Sequence, residues 1–280
     1  MLTYPRLDPI ALAIGPLKIH WYGITYLIGF AAAWWLGRIR SQREDAPVVR
    51  EQMEDLIFFG ALGVVLGGRI GYNLFYNLPA FLANPLVLLE IWKGGMSFHG
   101  GLLGVLLALW LFSRRIGSGF FRLADFVVPL VPIGLFCGRI GNFINAELWG
   151  GPTESALGMR VPCEYSPSTE ELCERAGTAD GLFSMPVHAS QLYEAALEGI
   201  ALFLILWLFS ARARPVRAVS ALFLICYGAF RFAVEFVRMP DSQLGFLAFD
   251  WLTMGQLLSL PMILSGFLLI FLAYRKREAT

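Results

Sequence analysis

A run of polar side chains follows a long apolar stretch near the middle of this 280-residue sequence. In "GRIGNFINAELWG", residues 138–150, Arg139, Asn142 and Asn145 are spaced three residues apart, and Glu147 comes just beyond them. This spacing places the first three on one face of a helix. The planar guanidinium group of arginine can bind two oxygens of one phosphate group at once. The segment therefore predicts a binding site for a phosphate-bearing anion.

A second set of charged side chains lies in "RFAVEFVR", residues 231–238. Arg231, Glu235 and Arg238 occupy positions i, i+4 and i+7, which line up on one stripe of a helix. We expect Glu235 to bridge the two arginines and to fix their orientation. Together with Arg139, this stripe predicts an anion site at the depth of the lipid headgroups of the outer leaflet.

A histidine suited to proton transfer, His99, lies in "GGMSFHGGLLG", residues 94–104, among glycines that allow a ligand to approach the backbone closely. Without the glycines and the arginines, a hydrogen-bonded structural role would be the favoured interpretation of a single histidine. Tyr22 and Tyr26 lie four residues apart near the predicted outer end of the first apolar segment. Aromatic anchors are expected there in any case, so position alone does not decide their role.

The composition indicates an all-α integral membrane protein, because 57% of the residues are hydrophobic and only 15% are charged. The formal net charge of +1 gives no argument for a nucleic-acid partner. The three histidines are scattered, and the sequence has no metal-ligand spacing and no nucleotide-binding fingerprint. We therefore expect no metal, no cofactor and no nucleic acid.

Seven apolar segments approach the roughly 20 residues that a helix needs to cross a bilayer. They are 17–37, 56–76, 95–113, 123–144, 189–210, 218–237 and 254–274. Thirteen of the 22 Lys and Arg residues follow the first, third, fifth and seventh segments. By the positive-inside rule these connections are cytoplasmic, which places the N-terminus outside and the C-terminus inside. The sequence thus predicts one transmembrane-bundle domain over residues 1–280.

Two connections on the predicted outer side have distinctive compositions. Residues 146–188, rich in proline and acidic residues, predict a small periplasmic cap. Within it, Cys163 and Cys173 either form a disulfide or remain two thiols. Residues 77–93 end in tryptophan and lysine and predict an interfacial helix on the outer surface, interrupted by prolines.

Ionisable side chains within the predicted spans need a partner, a water-filled cavity or a function, because each costs about 2.5–3.5 kcal/mol at mid-bilayer. For Arg69, an ion pair with a neighbouring carboxylate and a functional role are equally good explanations. For Arg139 and Arg231 a functional role is favoured, because further polar groups share their helical faces.

Several motifs together resemble the prolipoprotein diacylglyceryl transferase family of bacteria. They are "HWYG" at 20–23, "SFHGGLLG" at 97–104, "GRIGNFINAELWG" at 138–150, "HASQLYEA" at 188–195 and "YGAFRFAVEFVRMPD" at 227–241. The final "MGQLLSLPM" is similar to the last helix of the family, so the resemblance covers essentially the whole chain. One departure is Ala189, where the family pattern has proline after the histidine.

The resemblance implies transfer of the diacylglyceryl group of phosphatidylglycerol to the lipobox cysteine thiol of a preprolipoprotein, with release of glycerol phosphate. It implies a multi-pass protein of the bacterial inner membrane whose active site faces the periplasm. It also implies that Arg139 and Arg231 are the essential arginines. The residues expected around them are His99, Tyr22, Asn142, Glu147, Gly150, Tyr227, Glu235 and Arg238.

The identity of the base that removes the thiol proton stays open at this point. His99 is our candidate, and a base in an arginine-perturbed environment and the lipid phosphate itself are the alternatives. A different class of function, an anion or lipid transporter with intramembrane arginines, also stays open. An intramembrane protease is disfavoured, since the spans have no Gly-x-Ser-x-Gly motif and no paired aspartates.

Overall fold

The computed structural model describes residues 2–15, 17–90, 94–240 and 245–275 of a mostly helical chain. Three of the described helices are long and apolar enough to cross a membrane: Phe120–Ile144, Ser190–Phe209 and Met254–Arg275. A further apolar helix, Ala218–Val234, is shorter. Helices of this length and apolar composition are those of a helical membrane protein.

The α-helices are, in chain order, α1 (Trp21–Arg40), α2 (Met53–Phe75), α3 (Leu78–Ala83), α4 (Phe98–Arg115), α5 (Phe120–Val127), α6 (Val131–Ile144), α7 (Pro167–Ala176), α8 (Ser190–Glu194), α9 (Leu202–Phe209), α10 (Ala218–Val234) and α11 (Met254–Arg275). The 3₁₀ segments are Arg50–Gln52, Pro85–Leu89, Val128–Leu130 and Cys163–Tyr165, and Ala195–Ala201 is a π-helix between α8 and α9. The strands are β1 (Leu2–Thr3), β2 (Ile10–Ile14), β3 (Leu17–His20) and β4 (Met159–Arg160). Strands β2 and β3 pair antiparallel, and β1 and β4 pair parallel.

The chain forms two compact units, one of residues 1–33 and 128–280 and the other of residues 34–127. In the first unit, Tyr4 and Trp149 belong to a buried apolar cluster that also includes Val161 and Val187. The hydroxyl oxygen of Tyr4 lies 3.0 Å and 2.9 Å from the carbonyl oxygens of the last two residues of α6. This contact fixes the end of the helix that carries Arg139.

In the second unit, α2 and α4 approach each other along glycine-lined faces. A Cβ atom added to Gly63 would lie 2.6 Å from the carbonyl oxygen of Gly104, and one added to Gly71 would lie 2.7 Å from the Cα of Gly100. Only glycine fits at this spacing. The glycines of both segments are therefore needed for helix packing, whatever else they do.

Several predicted boundaries differ from the observed ones. The first span was expected to begin at residue 17, but Leu17–His20 extends as β3 and the helix begins at Trp21. The helix of the sixth span ends at Val234 rather than at 237. In place of the single interfacial helix predicted over residues 77–93, Leu78–Ala83 form α3 and Pro85–Leu89 form a separate 3₁₀ turn, because Pro85 follows Asn84, whose side chain caps that turn. Residues 91–93 and the basic pair Lys276 and Arg277 lie outside the described residues.

Cys163 and Cys173 are joined by a disulfide bond. Cys163 begins a 3₁₀ turn, and Cys173 lies on α7, whose first turn is capped by the side chain of Ser166. The bond therefore closes a short loop around the start of α7. Of the two alternatives that the sequence leaves open for these cysteines, the structure has the disulfide.

Candidate active site

Three arginines from two helical segments converge on one buried glutamate, Glu194, at the end of α8. Its Oε1 atom accepts hydrogen bonds from Nη1 of Arg231 at 2.6 Å and from Nη1 of Arg238 at 3.2 Å. Its Oε2 atom lies 3.1 Å from Nε of Arg139 on α6. The side chain of Glu194 is fully buried. A single carboxylate thus joins the two arginine stripes.

Glu235 contacts both Arg231 and Arg238, as Glu194 does, and the spacing of the three residues in the sequence predicts this bridge. Its Oε1 contacts Nη2 of Arg231 and lies 3.6 Å from Nε of Arg238. Its Oε2 accepts a hydrogen bond from the hydroxyl of Thr253 at 2.6 Å. The carboxylate is packed against Gly255, where an added Cβ would lie 2.6 Å from Cδ of Glu235. Glu235 is therefore held in place from the side of α11.

Glu198 is a third buried carboxylate, carried by the π-helix that follows α8. Its Oε2 accepts a hydrogen bond of 3.5 Å from Nη2 of Arg139, whereas its Oε1 has no hydrogen-bond partner among the described residues. The π-helix lies close to α6 because Gly199 has no side chain, and an added Cβ would lie 2.7 Å from Cβ of Phe136. Short π-helical segments are common at functional sites.

We name these six residues the arginine–glutamate cluster: Arg139, Glu194, Glu198, Arg231, Glu235 and Arg238. The glutamates are buried, whereas Arg139 and Arg231 are 19% and 18% exposed. The contacts to glutamates use Nε and Nη2 of Arg139 and the two Nη atoms of Arg231. Buried carboxylates thus orient guanidinium groups that remain partly exposed. Such an arrangement can present preorganised donors to an anion.

A second polar group lies at the end of α6, one turn beyond Arg139. The side-chain amide of Asn142 donates a 2.7 Å hydrogen bond to Oε1 of Glu147, and Asn145 donates to the same oxygen at 3.4 Å. Tyr22 of α1 packs against Gly141, where an added Cβ would lie 2.9 Å from the tyrosine ring. Its hydroxyl lies 3.1 Å from that of Tyr26. The predicted residues of α1 and α6 are therefore neighbours.

Gly150 connects this polar group to Arg238. The two residues form a β-bridge, and the backbone N–H of Gly150 donates to the carbonyl oxygen of His188 at 2.8 Å. An added Cβ at Gly150 would lie 2.7 Å from Cβ of His188, so a side chain there would separate these segments. The imidazole of His188 lies 3.2 Å from the hydroxyl of Tyr193, and burial lowers its pKa below the ordinary value.

Comparison with known proteins identifies the family of this chain. A sequence model of the prolipoprotein diacylglyceryl transferase family matches residues 9–272. The chain belongs to the prolipoprotein diacylglyceryl transferase family. It is 58% identical to the phosphatidylglycerol–prolipoprotein diacylglyceryl transferase of Azotobacter vinelandii, covering 100% of this chain and 98% of that protein. It is 56% identical to the protein of the same name from Pseudomonas fluorescens, over 99% and 97% of the two chains.

Two further residues predicted for the site of this prolipoprotein diacylglyceryl transferase family member are His99 and Tyr227, and Tyr227 faces Glu198 and Arg139 of the arginine–glutamate cluster. His99 is exposed in the first turn of α4, which Ser97 caps by accepting a hydrogen bond from the backbone N–H of Gly100. His99 belongs to the unit of residues 34–127, whereas the arginine–glutamate cluster belongs to the other unit. Its catalytic role stays a prediction. Tyr227 of α10 is half-buried and stacks on Phe223, with ring centroids 5.6 Å apart.

Arg69 contacts backbone carbonyl groups, whereas the sequence suggested an ion pair with a neighbouring carboxylate as one explanation of its charge. Its guanidinium group donates hydrogen bonds to the carbonyl oxygens of Val87, Leu88, Glu90, Gly94 and Gly95. These carbonyls belong to the segment that leads into α4. In this member of the transferase family, Arg69 therefore ties that segment to α2, and within the described part of the chain its hydrogen bonds go to backbone carbonyl groups and not to a carboxylate.

Glu194 and Glu198 are not among the site residues predicted from the sequence. They lie four residues apart inside the fifth predicted span, 189–210, which has no other charged side chain. Like Arg69, Arg139 and Arg231, these two glutamates are ionisable residues within a predicted span, and such residues need a partner or a function. Their i, i+4 spacing also predicts that they share a helical face.

Proposed function

We propose that this protein transfers the diacylglyceryl group of phosphatidylglycerol to the thiol of the lipobox cysteine of preprolipoproteins. The reaction forms a thioether, releases glycerol phosphate and is the first step of bacterial lipoprotein maturation. Curated relatives at 56–58% identity over nearly the full length carry the name of this activity. The observation within this chain that carries the proposal is the convergence of Arg139, Arg231 and Arg238 on Glu194.

The chemistry suits this arrangement. The cysteine sulfur attacks a glycerol carbon, an S–C bond forms, and the C–O bond to the phosphate breaks with its electron pair on the leaving oxygen. Negative charge therefore develops on the phosphate, where guanidinium donors stabilise it. In our proposal Arg139 and Arg231 bind that group, Glu194 and Glu235 hold the two arginines in position, and His99 takes the thiol proton.

Tyr22, Asn142, Glu147, Gly150 and Tyr227 complete the proposed substrate-binding residues. The Asn142–Glu147 hydrogen bond and the packing of Tyr22 on Gly141 support a wall of the site at the end of α6. The reaction that we propose uses no metal and no cofactor. No group of three or more His, Cys, Asp or Glu residues in the described ranges has the arrangement of a metal site.

We further propose seven spans in the bacterial inner membrane, with residues 146–188 as a periplasmic cap, residues 77–93 at the outer interface and the active site on the periplasmic side. The basic clusters after alternate spans support this orientation. So does the Cys163–Cys173 disulfide, because such bonds persist in oxidising compartments such as the periplasm.

The direct test uses purified protein, phosphatidylglycerol and a synthetic lipobox peptide, followed by mass spectrometry of the peptide. We expect a mass increase equal to one diacylglyceryl group on the cysteine, and no increase on a matched peptide with serine in its place. Absence of the modified peptide from a folded, lipid-supplied sample would contradict the proposed transfer.

A further inference from the structure

The arginine–glutamate cluster contains three guanidinium groups and three carboxylates, so its formal charges cancel when all six groups are ionised. Phosphatidylglycerol carries one negative charge on its phosphodiester. Its entry into a neutral cluster would leave an uncompensated negative charge in surroundings of low dielectric, which is costly. Uptake of one proton by a carboxylate of the cluster would restore neutrality.

The three carboxylates differ in how strongly their contacts favour the ionised form. Glu194 contacts three arginines. Glu235 contacts two arginines and the hydroxyl of Thr253. Glu198 has one hydrogen bond of 3.5 Å to Arg139. One oxygen of each of the three carboxylates has no hydrogen-bond partner among the described residues. In Glu194 and Glu235 that oxygen still lies within ion-pair distance of an arginine, whereas the ion pair of Glu198 with Arg139 uses its other oxygen. Since ionic hydrogen bonds stabilise a buried carboxylate, Glu198 loses least on protonation.

In the part of the chain that the structure describes, the charged and titratable groups that face Glu198 come from three elements. Arg139 lies on α6, Glu194 on α8, and Arg231 and Tyr227 on α10. Helix α9, which follows the π-helix directly, carries no titratable side chain. A phosphate group bound to Arg139 would share the guanidinium that now faces Glu198. The new negative charge would therefore weaken the one ionic contact of this carboxylate.

We propose that Glu198 takes up a proton from water when phosphatidylglycerol binds, so that lipid binding by the arginine–glutamate cluster is linked to protonation of this carboxylate. The inference rests on the proposed function, because it requires the lipid phosphate to bind at Arg139. In the bound state Glu198 is a neutral carboxylic acid. It is a positioning residue for Arg139, and its protonation matches the charge of the cluster to that of the lipid.

The test measures protons directly during binding, without a peptide substrate. Phosphatidylglycerol is added to the purified protein in weakly buffered detergent solution near neutral pH, and a pH-sensitive dye reports the protons removed from solution. We expect about one proton per bound lipid for the wild type. Glu198→Gln should bind the lipid with no proton uptake, whereas Glu174→Gln, which changes an exposed glutamate of α7, should behave as the wild type. Diacylglycerol, which has no phosphate, should cause no uptake in any of them.

The outcomes separate this inference from the proposed function. If phosphatidylglycerol does not bind, the proposed function itself is wrong. Binding without proton uptake in the wild type, or unchanged uptake in Glu198→Gln, overturns only the role of Glu198. Should Glu198→Gln not fold, the wild-type measurement still decides whether a proton is taken up. Glu198→Asp then keeps a carboxyl group and must retain the uptake.

Discussion

Glu194 Oε1 lies 2.6 Å from Nη1 of Arg231, although the two residues are 37 positions apart and on different helices. The same carboxylate also faces Arg139 and Arg238. A buried carboxylate shared by three guanidinium groups neutralises part of their positive charge and holds the three arginine side chains in position. Removing one partner from such a cluster is costly, because the remaining charges stay buried and unbalanced.

We expect Glu194→Gln to fold less stably and to lose transfer activity by a factor on the order of 10², because three arginines lose a common anchor. The measurement is thermal unfolding together with the rate at saturating phosphatidylglycerol. Glu174→Gln is the matched control and should show neither effect. A folded Glu194→Gln protein with the wild-type rate would mean that this glutamate does not position the arginines.

Arg139→Lys and Arg231→Lys test whether the shape of the guanidinium group matters. Each lysine keeps the charge but cannot bind two phosphate oxygens with a planar fork, so we expect normal insertion and an activity loss on the order of 10² or more. Glu235→Gln should impair transfer less than loss of Arg231, since it removes a bridge and no donor. Arg114→Lys, at an exposed position of α4, is the charge-conserving control. Near wild-type rates in both variants would refute phosphate binding by these forks.

The stability of the predicted cap should depend on pH through His188. Burial lowers its pKa, so between the depressed folded value and the unfolded value near 6.5 the unfolded state binds more protons. Stability is therefore retained above pH 6.5 or so and falls as the solution becomes more acidic. Thermal unfolding at about pH 5 and about pH 8 should show this difference in the wild type and a smaller one in His188→Gln. An equal difference in both proteins would assign the effect to other groups.

The proposed orientation can be tested with fusions. A reporter that is active only in the cytoplasm should work when it is fused after Arg115 or after Arg217 and should fail near Thr178, because basic connections remain cytoplasmic. The measurement is the activity of the reporter, normalised to the amount of fusion protein. The reverse pattern would place the arginine–glutamate cluster on the opposite side of the membrane.

Local spacing predicted part of this site well. The i, i+4 relation of Arg231 and Glu235 is a property of one helix, and the observed ion pair confirms the expected bridge. Arg238 lies beyond the end of α10, yet its backbone N–H still bonds to Val234 and its side chain still reaches Glu235. The contact survives because the chain keeps a helical turn there.

Contacts between distant segments were not predictable in the same way. Arg139 and Glu198 are 59 positions apart, and their meeting depends on a π-helix and on Gly199, neither of which has a periodic pattern that identifies it. Two of the five carbonyl partners of Arg69 lie in the 3₁₀ segment Pro85–Leu89 and the other three come after it, so no side-chain pattern identifies them. Residue types do not indicate which backbone carbonyl groups accept hydrogen bonds, so these contacts could not be predicted from the sequence.

The contact of Tyr4 with the end of α6 has a consequence for the order in which the protein forms during synthesis. Its acceptors lie 139 and 140 positions further along the chain, and β1 pairs with β4 at Met159 and Arg160. The ribosome must therefore add about 140 residues after Tyr4 before its side chain can form these hydrogen bonds. Closing so long a loop carries an entropic cost that only a nearly assembled unit can offset. Tyr4 and β1 are thus synthesised long before their partners and reach their final place late, and Tyr4 then holds the end of the helix that carries Arg139.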